Sequence, residues 1–246
     1  MSAVVSIETP SAVFIITDGA VYNRDNILTR VERKVDVSDR VPVAVATRGG
    51  REIGKYAASK IIGAVEEFGF DAAMSWLGGQ LHKFADNDPA SKFEATIAGI
   101  SETHGPRRLA FRSDAEPVAL EHHGLACTFA TSDAGLTDMG LRLRYQFEGW
   151  ESYLRDIAVP MMEFYRRAPI AGSAGEVFDT PAHLVGGQVD LTIVTSKGVT
   201  VETIHRWDDK IDQRIEPFSE RRTIQTFPGM SRQQRRAAER AKRMSA

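Results

Sequence analysis

Ser2, Asp18 and Lys34 stand sixteen positions apart and set a hydroxyl, a carboxylate and an ammonium near the start of one chain. A serine hydroxyl is a poor nucleophile at neutral pH and needs a base beside it. An α-amine, with a pKa of ~7.7–8.0, can fill that role. Removal of Met1, which a residue as small as serine permits, leaves amine and hydroxyl on the same residue, so a compact site needs neither propeptide nor self-cleavage. Other chemistry finds less support. His82, His104, His122, His123, His183 and His205 are scattered, with no His-x3-His spacing and no cysteine pair, so no metal and no cofactor is expected. Gly49-Gly50 and Gly78-Gly79 have no Lys-Ser/Thr after them, which removes support for a nucleotide loop.

Short strands must position the three residues. Ala3 to Glu8 and Ala12 to Thr17 are rich in β-branched residues and are separated by Thr9-Pro10-Ser11, which predicts an antiparallel hairpin ending at Asp18-Gly19. Asn23 to Asn26 reads as a turn, Ile27 to Val37 as a strand or strand pair, and Val41 to Thr47 as an apolar strand broken by Gly49 and Gly50. A hairpin returns its two ends to one sheet edge, so residues 2, 18 and 34 can converge there. Arg51 to Asp86 carries the 3.6-residue spacing of one or two amphipathic helices. Lys92 to Ser101, Arg108 to Ser113 and Gly124 to Thr131 then read as a second antiparallel set. Leu141 to Arg167 is a long helical stretch that Pro160 kinks or divides, and its aromatic stripe, Phe147, Trp150 and Phe164, suits a core or a subunit interface. Gly187 to Thr195 and Val199 to Trp207, joined by Ser196-Lys197-Gly198, make a closing hairpin. This order predicts an α+β fold, with helices covering antiparallel sheets.

Composition sets the class. With 246 residues, 42% hydrophobic and 26% charged, the chain is long enough for one large core. The apolar runs at Ala12 to Ile16 and Val41 to Ala46 are far shorter than the ~20 residues of a membrane helix, and the start lacks the pattern of a secretory signal, so a cytoplasmic protein with no membrane partner is expected. The one cysteine, Cys127, reads as a small buried hydrophobe. Residues 1–228 are read as one domain and 229–246 as a separate basic tail. Arg232, Arg235, Arg236, Arg240, Lys242 and Arg243 there oppose Glu239 alone, so the rest of the chain is near −7 where the whole is −2. Such a tail reads as a solvated extension or as a contact for nucleic acid or an acidic protein surface.

From Ser2 to Trp207 the chain resembles the proteasome β-subunits, members of the N-terminal nucleophile (Ntn) hydrolases. The resemblance is carried by the equal spacing of Ser2, Asp18 and Lys34, by TDG after the second strand, by Lys34 ahead of an apolar strand, and by VGGQVDLTIVTSKGVTVE. It implies a four-layer αββα sandwich of two antiparallel sheets covered by helices, and a homo-oligomeric ring. It also implies a serine-type peptidase or amidase acting on peptide or amide substrates through an acyl-enzyme. Ser2 would be the nucleophile and its own amine the base, Lys34 would supply positive charge, and Asp18 would pair with Lys34. The backbone near Arg48, Gly49 and Gly50 would hold the oxyanion, with Ser132 as a supporting serine. The chain departs from the family pattern at Arg48, where a glycine is usual, and at Ala182 and Val185, where a supporting Asp and Ser stand. A catalytically silent subunit with an assembly or interaction role, in a phage or prophage setting, is the other reading.

Overall fold

The turn formers Thr9 to Ser11 fold the first two β-branched runs onto each other. In the computed structural model, which describes residues 3–84, 92–115, 119–122, 126–127, 149–168, 170–173 and 176–218, strands β1 (Val4–Glu8) and β2 (Val13–Asp18) pair antiparallel, with Val4 opposite Thr17 and Glu8 opposite Val13. The strands β13 (Gln188–Thr195) and β14 (Gly198–Arg206) form the closing hairpin. A short strand β10 (Ala126–Cys127) completes a five-stranded sheet in the order β10-β1-β2-β13-β14.

A second five-stranded sheet has the order β5-β6-β7-β8-β9, made of β5 (Val35–Val37), β6 (Val43–Gly49), β7 (Phe93–Ser101), β8 (Gly105–Arg112) and β9 (Glu121–His122). Two ribbons stand apart from the large sheets: β3 (Ala20–Tyr22) with β4 (Leu28–Val31), and β11 (Ile170–Ser173) with β12 (Glu176–Ala182). Ile27 to Val37 is thus a strand pair divided between a ribbon and a sheet. Between β3 and β4, the Asn23 side chain accepts hydrogen bonds from the amides of Asp25 and Ile27, which explains the turn at Asn23 to Asn26.

Period-two alternation sorts the side chains into layers. Val5, Ile7, Phe14, Ile16, Leu191 and Ile193 face helix α3 (Trp150–Arg167), where Leu154, Ala158, Met161, Met162 and Tyr165 follow helical spacing. Their neighbours Val4, Val13, Ile15 and Val194 point the other way, onto Val35, Ala44, Ala46 and Ala98 of the second sheet. The far side of that sheet, with Val43, Val45, Ile97 and Phe111, is covered by α1 (Arg51–Phe68) and α2 (Phe70–Gln80), which a 3-10 turn at Leu81–Phe84 follows. The chain is therefore an α+β sandwich of two antiparallel sheets and helices. No helix among the described residues is long and apolar enough to cross a membrane.

Three elements differ from the expectation. Pro160 lies inside one continuous helix and neither divides it nor ends it. Its position is exposed, where water can serve the carbonyl that the missing N–H leaves unpaired. Ala126–Cys127 joins the first sheet through β1, with Cys127 opposite Val5, and not the second. The ribbon at 170–182 was not foreseen. The chain clusters into compact units Met1–Ile215 and Glu216–Ala246. The expected boundary at 228/229 and the basic tail lie outside the described residues, as do Phe147 and Leu141 to Gln146.

One contact in the helix layer is testable. A Cβ at Gly99 on β7 would collide with the ring of Phe70, the buried first residue of α2. Gly99→Ala is expected to lower stability by about 1–3 kcal/mol through overpacking. A denaturant midpoint displaced at constant m-value checks it, and an unchanged midpoint contradicts it.

Candidate active site

Asp18 closes β2, and the hairpin returns the chain's front end to it. The Ala3 amide donates to Asp18 Oδ1 at 2.9 Å, and the Asp18 amide donates to the Ala3 carbonyl at 3.3 Å. Lys34, immediately before β5, places Nζ 2.8 Å from the same Oδ1. Oδ2 accepts from the amides of Ala20 at 3.1 Å and Gly186 at 3.3 Å. Asp18 is completely buried and the Lys34 side chain 7% exposed. A buried ion pair persists only when its remaining lone pairs and protons find partners, and the three amides supply them to the carboxylate. Burial pushes the Lys34 ammonium below the ordinary lysine range, while Asp18, and then Glu32 and Asp190, oppose that shift. A cation held this way lowers the proton affinity of groups placed beside it.

The structure thus brings Asp18 and Lys34 together. Ser2 lies outside the described residues, as does Ser132. Ala3, bonded directly to Ser2, is described. Its amide nitrogen and Lys34 Nζ share one carboxylate oxygen, so the two nitrogens lie within about 6 Å of each other.

The end of β6 approaches the same place. Gly50 donates its amide to the Lys92 carbonyl at 2.7 Å, in register with Arg48 opposite Glu94 and Gly49 opposite Phe93. Ladder alternation then directs the Arg48 amide toward β7 and the Gly49 amide to the opposite, β5 side. Pairing of β5 with β6 stops at Val35 opposite Ala46, so Gly49 runs past it, and Gly49 lines the same cleft as Lys34. Only glycine fits at 49, since its φ is +98° and a Cβ would strike the Lys92 carbonyl. Of the three amides expected to hold an oxyanion, the Gly50 amide is therefore taken by Lys92 and the Arg48 amide faces β7, which leaves that of Gly49. The Arg48 guanidinium is taken as well, bound to Glu94 through Nε at 2.8 Å and Nη2 at 2.6 Å.

Lys34 and Gly49 open onto a cleft of about 420 Å³ that Asp36, Arg51 and Lys55 also line. Glu32 there is held by both nitrogens of an Arg51 fork, at 2.7 and 2.8 Å, and by Arg30 at 3.0 Å. Arg51 holds the Glu32 carboxyl below the usual carboxylate range. Asp36 is half-buried and has neither hydrogen bond nor ion pair among the described residues, and burial pushes its carboxyl up. Its sequence signal was a single acid between Val35 and Val37 in a two-faced strand. Because the native carboxyl binds its proton more tightly than the unfolded one, Asp36 costs stability above its native pKa and costs nothing below the ordinary ~3.9. Asp36→Asn is expected to raise Tm at pH 7 by roughly 1–3 °C and to leave it unchanged below about pH 3.9. A lower Tm at pH 7 contradicts this.

The glycine turn after β12 links the site to a second buried ion pair. The Gly187 amide donates to Asp209 Oδ2 at 2.7 Å, one residue from the amide that Asp18 holds. Asp209 also receives the Arg166 fork at 2.6 and 2.8 Å, with the guanidinium over the Trp207 ring. No sequence signal joins residues 166 and 209. Ala182 and Val185 near this turn are buried and apolar, and Val185 packs under α3. No protein-family model and no curated protein matches the chain.

Proposed function

We propose that the protein is a proteasome-like N-terminal-serine hydrolase that cleaves peptide or amide bonds through an acyl-enzyme once Met1 is removed, in a four-layer αββα fold. The observation that carries this reading is the shared oxygen of Asp18, which holds the buried Lys34 ammonium and the amide next to Ser2 at the same point. In the proposed reaction the Ser2 hydroxyl oxygen attacks the substrate carbonyl and its proton passes to the Ser2 α-amine. Lys34 stabilises the developing alkoxide, and the Gly49 amide meets the carbonyl oxygen as it becomes negative. Collapse breaks the carbon–nitrogen bond, and the α-amine returns the proton to the leaving amine. Water then attacks the ester, giving its proton to the same amine, and the acid leaves as the Ser2 hydroxyl is restored.

The same proposal includes a cytoplasmic homo-oligomeric ring, with the basic tail available for nucleic acid or an acidic protein. One observation favours a silent assembly subunit instead: the positions of the family's supporting polar side chains are the apolar Ala182 and Val185, and loss of supporting groups weakens a site. The two readings separate on fluorogenic peptide amides. The chain beginning at Ser2 is expected to turn them over, and a chain carrying one extra, uncleaved residue before Ser2 is not, because its amine becomes an amide. Equal rates from both forms contradict the proposal, and absence of turnover from a correctly begun chain favours the silent subunit.

A further inference from the structure

Resting on the hydrolase reading, we propose that Asp36 selects substrates with a cationic side chain, lysine- or arginine-like, on the acyl side of the cleaved bond. Lys34 and Asp36 flank Val35, whose side chain enters the core between the sheets, and both line the cleft. Two residues along a strand span about 7 Å, roughly the reach of an extended arginine side chain. A carbonyl seated at Lys34 and Gly49 therefore has Asp36 within reach of the side chain of its own residue.

The charges of the cleft decide what is welcome there. Glu32 is occupied by Arg51 and Arg30, Lys34 by Asp18 and Arg48 by Glu94. Asp36, Arg33 and Lys55 line the cleft without a hydrogen bond or an ion pair among the described residues. The two cations are exposed, so a ligand gains little by pairing with them. Asp36 is half-buried, and its carboxyl is raised because burial removes part of the water around the charged form and no partner replaces it, with Lys55 and Arg51 on α1 and Glu32 beside it acting only at a distance. A docked guanidinium or ammonium would supply that partner, and a cleft of about 420 Å³ lies within the usual range for small-ligand sites.

The test uses the chain beginning at Ser2 and peptide amides that differ only in the residue before the cleaved bond: arginine, norleucine or glutamate. The arginine substrate is expected to exceed norleucine by about tenfold or more in kcat/KM, as a hydrogen-bonded charge pair implies, with glutamate slowest. In Asp36→Asn the arginine-to-norleucine ratio is expected to fall to about one, and Asp36→Lys is expected to favour glutamate. In parallel, fluorescence anisotropy measures binding of labelled arginine and norleucine peptides to Ser2→Ala and to its Asp36→Asn double variant. Turnover without an arginine preference, or a ratio unmoved by Asp36→Asn, overturns the assignment. Absence of turnover with an Asp36-dependent arginine preference in binding sinks the hydrolase reading while supporting Asp36 as a recognition residue. No Asp36-dependent difference in either assay overturns the assignment too.

Discussion

Ser2→Ala is expected to reduce kcat/KM on peptide amides by about 10⁴-fold or more, the scale seen when a covalent nucleophile is removed. Ser2→Thr, which keeps the hydroxyl, is expected to retain activity within about tenfold. Both residues are small enough for Met1 to be removed, so the two variants differ in the hydroxyl and not in maturation. The amide that Asp18 holds belongs to the backbone of Ala3, and neither substitution deletes it. Activity that survives Ser2→Ala contradicts the assignment of the nucleophile.

Asp18→Ala is expected to have the largest effect on stability. It leaves the buried Lys34 ammonium without its carboxylate and strands the amides of Ala3, Ala20 and Gly186. Breaking a buried pair from one side costs about 3–5 kcal/mol, or about 10 °C in Tm for a chain of this length. The pH dependence has a definite sign. Without Asp18, burial lowers the native pKa of Lys34 further below the unfolded value of about 10.4, so the unfolded state binds more protons between the two pKa values. Because wild-type Lys34 is itself lowered by burial, the deficit shrinks as pH rises from the native pKa of the variant to that of the wild type and is constant above it. Denaturant midpoints at pH 7 and pH 9.5 measure it. A deficit under about 1 kcal/mol, or one independent of pH, contradicts the account of the pair. Asp18→Asn combined with Lys34→Met removes both charges and is expected to recover much of the loss.

Local chemistry made part of this legible from sequence. β-Branched runs around Thr9-Pro10-Ser11 gave the first hairpin, and Ser196-Lys197-Gly198 gave the last, because the turn and the alternation of each are written in adjacent residues. The first hairpin accounts for the return of the chain's start to Asp18, whereas the meeting of Asp18 with Lys34 was implied by the resemblance alone. Features set by distant packing were not legible. Cys127 reads as part of a strand, but periodicity does not say which sheet receives it. The grip of Asp18 on Gly186, and that of Asp209 on Gly187, depend on a glycine turn far along the chain. The isolation of Asp36 depends on Arg51 choosing Glu32, a choice between neighbouring carboxylates that no spacing records. Pro160 invited a helix break because sequence does not show which face of α3 meets solvent.

The claim that Ser2 is an activated nucleophile beside Lys34 is tested most directly by incubating the purified protein with a peptide β-lactone and mapping the product by intact mass and fragment sequencing. The account predicts a chain that lacks Met1 and carries a single adduct on Ser2, with labelling lost in Lys34→Met. A chain that retains Met1, an acetylated Ser2, or a correctly begun and assembled protein without a Ser2 adduct would contradict it.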